Sequence, residues 1–497
     1  MKDVVDRTEA GMGGDGRGSG TPASGAEDVV ARSHATIFLF WVPLAAQWLM
    51  MGLEGPFLAA VIARMAEPAV NLAAYGVAFA FAILVESPVI MLMSAATALV
   101  EDASSYRKLR NFANGLNAGA TALMLLFLLP PVHATVLRGL LGLPDAVATQ
   151  VHTALWLLLP WPAAIGYRRF LHGVLIRSGR TRQVAYGTVI RLAAMAGTAI
   201  ALYVHGGLDG ASVGAVALSA GVCAEALAAR VMAAGVVREL LGGGAQPAAG
   251  SRGQGAGAEP AASGSRARED RRAGHGGAVH EGAGAPALDY RAIARFYFPL
   301  ALTSLIGLTV NPMLTFFMGR ATLPLESLAV YPVVHGLSFL FRAPAFSFQE
   351  VVIALLGQRF QHAAKLARFA AGMALATAAL QALVAFTPLA FVWFETVSGL
   401  TPDLAALAIA PTRILVPFPA VAVGIAYLQG ALVRGRTTRA ITVSSAVEVA
   451  SIAILFAIFG WGVGMFGASA AMLALLGGRV AGAVVLIRPL RRVLHGG

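Results

Sequence analysis

Long apolar runs separated by short polar connections make up most of this 497-residue chain. Many of these runs reach the length of about 20 apolar residues that an α-helix needs to cross the hydrocarbon core of a bilayer. The pattern predicts an all-α polytopic membrane protein with twelve transmembrane helices. We call them spans 1 to 12, and their predicted ranges are 36–62, 72–100, 111–133, 147–170, 183–205, 211–238, 293–318, 328–357, 366–393, 403–433, 440–460 and 464–487.

The two halves of the chain repeat one pattern of residues. Pro43, Tyr75 and Pro88 in the first half have the same spacing as Pro299, Tyr331 and Pro344 in the second. Farther along, the two copies keep one constant spacing, which relates Pro160 to Pro417 and which we call the repeat offset. The repeat predicts two pseudo-symmetric six-helix lobes, a plan that is usual for secondary transporters and places their binding site between the halves.

Composition and charge narrow the class of protein further. Hydrophobic residues form 57% of the chain and charged residues 12%, about half the charged fraction of a soluble protein. Cys223 is the only cysteine, which excludes an internal disulfide framework and a cysteine-cluster metal site. No metal or cofactor is predicted. The formal net charge of +12 does not indicate a nucleic-acid partner, because the basic residues concentrate in the connections between spans.

Basic residues also predict the orientation of the chain. One set of alternate connections is rich in arginine and lysine, whereas the other set holds only Arg64, Arg138 and Arg320. The positive-inside rule places the basic set and both termini in the cytoplasm. The membrane is predicted to be the inner or plasma membrane of the cell. The predicted segments are a disordered cytoplasmic tail at 1–35, lobes at 36–241 and 289–490, a flexible basic linker at 242–288 and a short tail at 491–497.

Ionisable residues within the predicted spans are the candidates for substrate binding or ion coupling. At membrane depth each costs at least ~2.5–3.5 kcal/mol unless it meets a partner or a cavity. Six such residues stand out: Glu54, Glu86, Arg191, Arg342, Arg413 and Glu448.

Four of the six occupy equivalent positions in the repeat. Glu86 follows the repeat tyrosine of its half at the same spacing as Arg342 follows that of the other half. Arg191 and Glu448 are related by the repeat offset. At both positions one half carries an acid and the other a base. Each pair is predicted to form a salt bridge between the halves that acts as a gate. The alternative is that each charge finds a partner within its own half.

Glu54 and Arg413 have separate roles in the prediction. Glu54 lies close to Pro56, and the proline predicts a kink in span 1. A carboxylate at such a break is a candidate carrier of a coupling proton, or else it is satisfied by backbone groups that the kink frees. Arg413, together with Arg191 and Arg342, would give the interior three positive charges suited to an anionic substrate, unless its side chain snorkels to the outer surface.

The order of several motifs resembles a known group of membrane transporters. The motifs are Phe40-Trp41-Val42-Pro43-Leu44, Ala74-Tyr75-Gly76, Phe298-Pro299-Leu300-Ala301-Leu302, Tyr331-Pro332-Val333-Val334-His335, and Pro411-Thr412-Arg413-Ile414 before Pro417-Phe418-Pro419. With the six-plus-six plan, they resemble the MATE-like multidrug/oligosaccharidyl-lipid/polysaccharide exporter (MOP) superfamily, and within it the progressive-ankylosis (ANK) family. The resemblance covers about residues 36–490 outside the linker. It implies alternating access and, for animal members, export of polyvalent anions such as pyrophosphate or citrate. Glu86, Arg342 and the long linker depart from that family.

Residues and resemblance together predict a monomeric secondary active transporter that exports a small anionic solute, with a proton or a sodium ion as the coupling ion. Within the superfamily, the alternatives are a flippase for a lipid-linked oligosaccharide and a multidrug exporter. A polytopic membrane enzyme fits less well, because the sequence carries no HExxH, paired-carboxylate or nucleophile-elbow signature. A non-transporting scaffold would not need buried charges that are complementary across the repeat.

Overall fold

The computed structural model describes residues 34–242, 289–357, 360–435, 437 and 439–495. All regular elements in these ranges are helices, which confirms the predicted all-α class. The predicted tail up to residue 33 and the predicted linker from residue 243 to 288 lie outside the described residues.

The helices of the first half run to residue 241. They are α1 His34–Gly52, α2 Glu54–Ala63, α3 Pro68–Glu86, α4 Leu92–Leu99, α5 Ala103–Leu128, α6 Pro130–Ala134, the π-helical turn Thr135–Leu140, α7 Asp145–Leu157, α8 Trp161–Arg177, α9 Thr181–His205 and α10 Gly210–Leu241. Asp102 caps α5, and the amide of Ser105 donates to its carboxylate, which lowers the pKa of this exposed side chain.

The helices of the second half begin at residue 290. They are α11 Tyr290–Leu308, α12 Val310–Met318, α13 Pro324–Leu355, α14 Ala363–Phe386, α15 Leu389–Phe391, the π-helical turn Val392–Val397, α16 Pro402–Ile414, α17 Phe418–Arg434, α18 Arg439–Phe456, the π-helical turn Ala457–Gly462 and α19 Gly467–His495. Helix α19 therefore continues into the segment predicted as a short C-terminal tail.

The helix bounds reproduce the repeat seen in the sequence. Helices α7, α8 and α10 each begin one repeat offset before α16, α17 and α19. Helices α1 and α2 precede α11 and α12 by the spacing that separates Pro43 from Pro299. The same breaks and turns therefore recur in both halves, as expected for a duplicated six-helix plan.

The predicted spans 4 and 10 are each broken rather than continuous. Ten helical stretches among the described residues are long and apolar enough to cross a membrane, and the α16–α17 pair, bent by 41°, makes an eleventh. The continuous helix predicted at 147–170 is wrong, because α7 and α8 form a similarly placed broken pair in the first half. Pro160 and Pro417 lie in the two breaks, where a residue without a backbone N–H interrupts the helical hydrogen bonds.

Prolines also interrupt the first spans. The predicted kink in span 1 is confirmed, since α1 ends at Gly52 and α2 begins at Glu54. A Cβ atom on Gly52 would lie 3.1 Å from the Phe339 ring, so glycine allows a close approach between α1 and α13 here. Span 2, predicted as one helix, ends at Glu86 and resumes at Leu92 after a turn that contains Pro88.

Packing divides the chain differently from the repeat. We call Leu58–Ala329 the first unit, and the described residues within Met1–Phe57 and Val330–Gly497 the second unit. Helix α1 thus packs with the second-half helices, whereas α11 and α12 pack with those of the first half. The lobes predicted at 36–241 and 289–490 describe the repeat and do not coincide with these compact units.

Equivalent side chains hold the exchanged helices in place. In the second unit, Trp41 Nε1 of α1 donates to the carbonyl oxygen of Pro344 over 3.1 Å. In the first unit, the hydroxyl of Tyr297 on α11 donates to the carbonyl oxygen of Pro88. Trp41 and Tyr297 are repeat-equivalent, as are the two prolines, so one hydrogen bond is made twice. In both hydrogen bonds the acceptor is the carbonyl oxygen of a proline that lies in or next to a helix.

Candidate functional site

The first unit contains a buried group of charged side chains, which we call the first charge cluster. Its members come from four helices that the fold brings together. They are Glu86 at the end of α3, Arg168, Arg169 and His172 on α8, Arg191 on α9 and Glu225 on α10. With histidine neutral, three arginines face two glutamates, so the cluster carries one positive charge in excess.

Glu225 is the centre of this cluster and is fully removed from solvent. Its Oε2 accepts from Arg168 Nη1 at 2.5 Å and lies 3.3 Å from Arg191 Nε. Its Oε1 faces His172 Nε2 at 3.9 Å, beyond hydrogen-bond distance. Two guanidinium groups therefore share one carboxylate oxygen, while the other oxygen is left for a different partner.

Glu86 provides the second negative charge of the first cluster. Its buried carboxylate is attracted by Arg169, Arg168 and Arg191. The Nε atoms of Arg168 and Arg169 are buried and donate to no described residue. The cluster thus holds guanidinium donors that its own carboxylates do not use.

The second unit contains a smaller group, the second charge cluster, formed by His335 and Arg342 on α13, Glu448 on α18 and Arg479 on α19. Arg342 Nη2 lies 2.9 Å from His335 Nε2, and Arg479 Nε lies 3.0 Å from Glu448 Oε1. Glu448 also acts electrostatically on Arg342. Two arginines face one glutamate, so this cluster too has an excess positive charge.

Aromatic rings surround the buried guanidinium of Arg342. Its Cζ atom lies 5.0 Å from the ring centre of Phe339, 5.1 Å from that of Phe418 and 5.9 Å from that of Phe346. Cation–π attraction from three rings offsets part of the cost of burying this charge. The side chain is therefore held in place by rings as well as by His335.

A glycine in each unit sets the position of the charges on α9 and α18. A Cβ atom on Gly221 would lie 3.0 Å from the Arg191 carbonyl oxygen, and one on Gly478 would lie 2.9 Å from that of Glu448. The two glycines are related by the repeat offset and permit α9 to approach α10, and α18 to approach α19, at equivalent levels. Arg191 is thereby brought to Glu225, and Glu448 to Arg479.

The repeat-equivalent charges find opposite charges within their own units. Glu86 and Arg191 belong to the first cluster, and Arg342 and Glu448 belong to the second. The signs are reversed between the units, so each retains one acid and one base at these two positions. These attractions agree with the alternative, in which each charge finds a partner within its own half, and the salt bridges between the halves stay a prediction.

The two remaining candidates lie elsewhere. Glu54 is half-buried at the start of α2, directly after the break in span 1, and its Oε1 is shielded from solvent. Arg413 is exposed, and its Nε donates to the carbonyl oxygen of Ala385 in the last turn of α14 at 3.2 Å. This contact with the negative end of a helix agrees with the alternative in which Arg413 turns away from the interior, and its role in binding stays a prediction.

Sequence analysis missed several members of the clusters. Arg168 and Arg169 stand at the predicted cytoplasmic end of span 4 and count among the basic residues of that side, but α8 continues to Arg177 and carries both into the first charge cluster. Arg479 went unnoticed although it stands alone in an apolar segment of α19. The signal that could have identified these residues is an ionisable side chain within an apolar run. For the two arginines of α8 this signal was concealed, because they stand at the predicted end of span 4, close to further basic residues.

Comparison with solved structures identifies the architecture, although the sequence matches no known protein family and no curated protein. An inward-facing multidrug resistance MATE family transporter of the MOP superfamily matches 92% of this chain and 98% of its own, with TM-score 0.63 and 14% identity. The lipid II flippase MurJ, in an inward closed conformation, matches 91% of this chain and 90% of its own, with TM-score 0.64 and 13% identity. The fold is MATE-like.

A third similar structure comes from Pyrococcus furiosus. It is a MOP superfamily transporter for which reverse polarity of the binding pocket suggests a different function, and it matches 95% of this chain and 98% of its own, with TM-score 0.54 and 14% identity. The resemblance to the MATE-like superfamily is thus confirmed at the level of the fold. The narrower resemblance to the progressive-ankylosis family stays a prediction.

We predict that Arg168→Ala destabilises the protein much more than Arg177→Ala on the same helix. Loss of Arg168 removes the shortest contact of a fully buried carboxylate, which costs about 3 kcal/mol. Arg177 forms an exposed 3.4 Å pair with Glu101, and its loss costs about 1 kcal/mol or less. Thermal unfolding in detergent measures both. Equal losses would show that the Arg168–Glu225 contact is unimportant for stability.

The two models of charge pairing make opposite predictions for charge reversal. If Glu86 is matched by Arg191, the double variant Glu86→Arg/Arg191→Glu regains folded yield that each single variant loses. If it is matched across the halves, Glu86→Arg/Arg342→Glu is the pair that recovers. Size-exclusion profiles of the detergent-solubilised variants distinguish them. We expect recovery only for the pair within the first unit.

Proposed function

We propose that this protein is a secondary active transporter that exports a small anionic solute by alternating access of two lobes. The observation that carries the proposal is the first charge cluster. Three arginines, of which Arg168 and Arg191 are buried, outnumber two glutamates there, and the Nε atoms of Arg168 and Arg169 donate to no described residue. Charge-assisted hydrogen bonds to guanidinium groups are the usual means of holding carboxylate or phosphate groups.

The duplicated architecture supports the transport cycle. Similar MATE family structures have been solved in inward-facing and outward-facing conformations, the latter with TM-score 0.52 to this chain. In the proposal the repeat lobes 36–241 and 289–490 alternate, and the chain acts as a monomer coupled to a proton or sodium gradient. Glu54, Glu86, Arg191, Arg342 and Glu448 are its proposed binding or coupling residues. We propose no role in binding for the exposed Arg413.

A lipid-linked flippase or a multidrug exporter is the alternative within the same fold. Of the similar structures, MurJ is a lipid II flippase and the MATE family protein is a multidrug resistance transporter. The excess of positive charge in both clusters favours an anion over a cationic drug. Export of pyrophosphate- or citrate-like anions also agrees with the resemblance to the progressive-ankylosis family.

Flux through proteoliposomes tests the proposed function. We expect the purified protein to transport phosphates or carboxylates from a panel that also contains cationic drugs, with a rate that responds to a proton or sodium gradient. Arg169→Gln should lower the anion flux roughly 10- to 100-fold, because one charge-assisted hydrogen bond contributes about 1.5–3 kcal/mol. Arg177→Gln, an exposed arginine on the same helix, is the matched control and should keep the flux.

The panel also separates the alternatives. Transport of the cationic drugs without the anions would indicate a multidrug exporter, and translocation of a lipid-linked sugar alone would indicate a flippase. Arg413→Ala should keep anion flux because the side chain caps α14; loss of flux in a stable variant would place Arg413 in the transport path.

We propose that both termini and the linker are cytoplasmic, on the basis of the arginine distribution. In a Cys223→Ser background, a cysteine at exposed Ala146 should react with an impermeant maleimide on intact cells. A cysteine at Ser251 in the linker should react only after permeabilisation. The opposite labelling pattern would invert the topology.

A further inference from the structure

Two buried polar atoms of the first charge cluster face each other without meeting. His172 Nε2 and Glu225 Oε1 lie 3.9 Å apart, and neither forms a hydrogen bond with any described residue. The two residues are 3% and 0% exposed. Buried polar atoms are nearly always satisfied, by protein or by water, so this pair requires a shared third partner.

Gly187 of α9 lies directly beside this pair. A Cβ atom at Gly187 would lie 3.3 Å from His172 Nε2 and 3.5 Å from Glu225 Oε1. An oxygen atom about 2.8 Å from both polar atoms fits a separation of 3.9 Å, since that is an ordinary hydrogen-bond length. A side chain at Gly187 would therefore crowd both polar atoms and any small group that joins them.

We propose that His172, Glu225 and Gly187 form a proton-binding site in which one water molecule bridges His172 Nε2 and Glu225 Oε1. In the neutral imidazole with its hydrogen on Nδ1, both facing atoms are acceptors, and water donates one hydrogen to each. An arriving proton forms an N–H bond at Nε2. The resulting imidazolium then donates through the water to the carboxylate, and the cluster gains one positive charge.

The charges around His172 link this proton to the anion. Arg168 and Arg169 on its own helix and Arg191 on α9 repel a protonated imidazole. Glu225 on α10 attracts it, and Glu86 on α3 lies within the same cluster. On the other packed helices, α4 carries no ionisable residue, and the charged residues of α5 are Arg107, Lys108 and Arg110 at its first turns. An anion bound by the arginines therefore makes protonation more favourable.

Proton binding and anion binding are thus expected to favour each other rather than to compete. This step rests on the proposed function, because it assumes that the arginines bind an anion. An inside-negative membrane potential still favours outward movement when the anion carries more than one negative charge. Positive linkage requires anion affinity to rise as pH falls through the range in which His172 gains its proton.

The site belongs to the first unit alone. At the repeat offset, Gln429 stands in place of His172 and Gly482 in place of Glu225. The second half therefore lacks both the titrating group and its carboxylate. The second half also suggests a substitution for the test. His172→Gln introduces the residue that the second half carries at the equivalent position, Gln429.

Calorimetric titration of the full-length protein in nanodiscs with inorganic pyrophosphate and with citrate tests the linkage. Comparing buffers of different ionisation enthalpy gives the number of protons taken up on binding. We expect uptake of about one proton and an affinity gain of up to roughly tenfold per unit fall in pH. His172→Gln and Gly187→Ala should abolish the uptake. Gly197→Ala, on the same helix with open space at its Cβ position, should retain it.

Unchanged proton uptake in both His172→Gln and Gly187→Ala would overturn the proposal. If the wild type binds neither anion, the proposed function fails for them, and nitrogen-15 NMR of histidine-labelled protein decides the proton site separately. His172→Gln assigns the signal among the ten histidines. Titration of this signal in the wild type and Gly197→Ala, but not in Gly187→Ala, supports the site. A His172 signal that does not change with pH overturns it.

Discussion

A charge buried at membrane depth must be met by opposite charge or hydrogen bonds inside the protein, because no solvent is there to screen it. The arrangement of both units follows from this constraint. Glu225 is held by two arginines, and Arg342 is enclosed by three aromatic rings and a histidine. The signs at the repeat-equivalent positions are reversed together, so that each unit keeps its own complementary charges.

These charges lie on helices whose arrangement is repeated in the two halves of the chain. Trp41 and Tyr297 make the same hydrogen bond to the carbonyl oxygens of Pro344 and Pro88, which secures the first helix of each repeat among helices of the other. Gly221 and Gly478 allow equally close helix contacts in the two units. Backbone features have therefore been preserved between the halves where the side-chain charges have diverged.

The divergence gives the two units different chemical capacities. The first has more guanidinium groups than carboxylates, together with a histidine and a glutamate that face each other at 3.9 Å without a hydrogen bond. The second has a guanidinium restrained by rings and an Arg479–Glu448 pair that is only partly buried. Anion binding and proton binding are accordingly both proposed for the first unit, where the two are linked by electrostatics over a short range.

Local properties of the chain determined the helical class, the repeat offset and the kink beside Pro56, because hydrophobic length and the missing N–H of proline act wherever they occur in sequence. Tertiary structure alone decided that Arg191 meets Glu225, that Arg168 is buried against the same carboxylate and that Arg413 is exposed. These outcomes depend on which helices are neighbours and how each is rotated. Residue spacing within one helix carries no information about either.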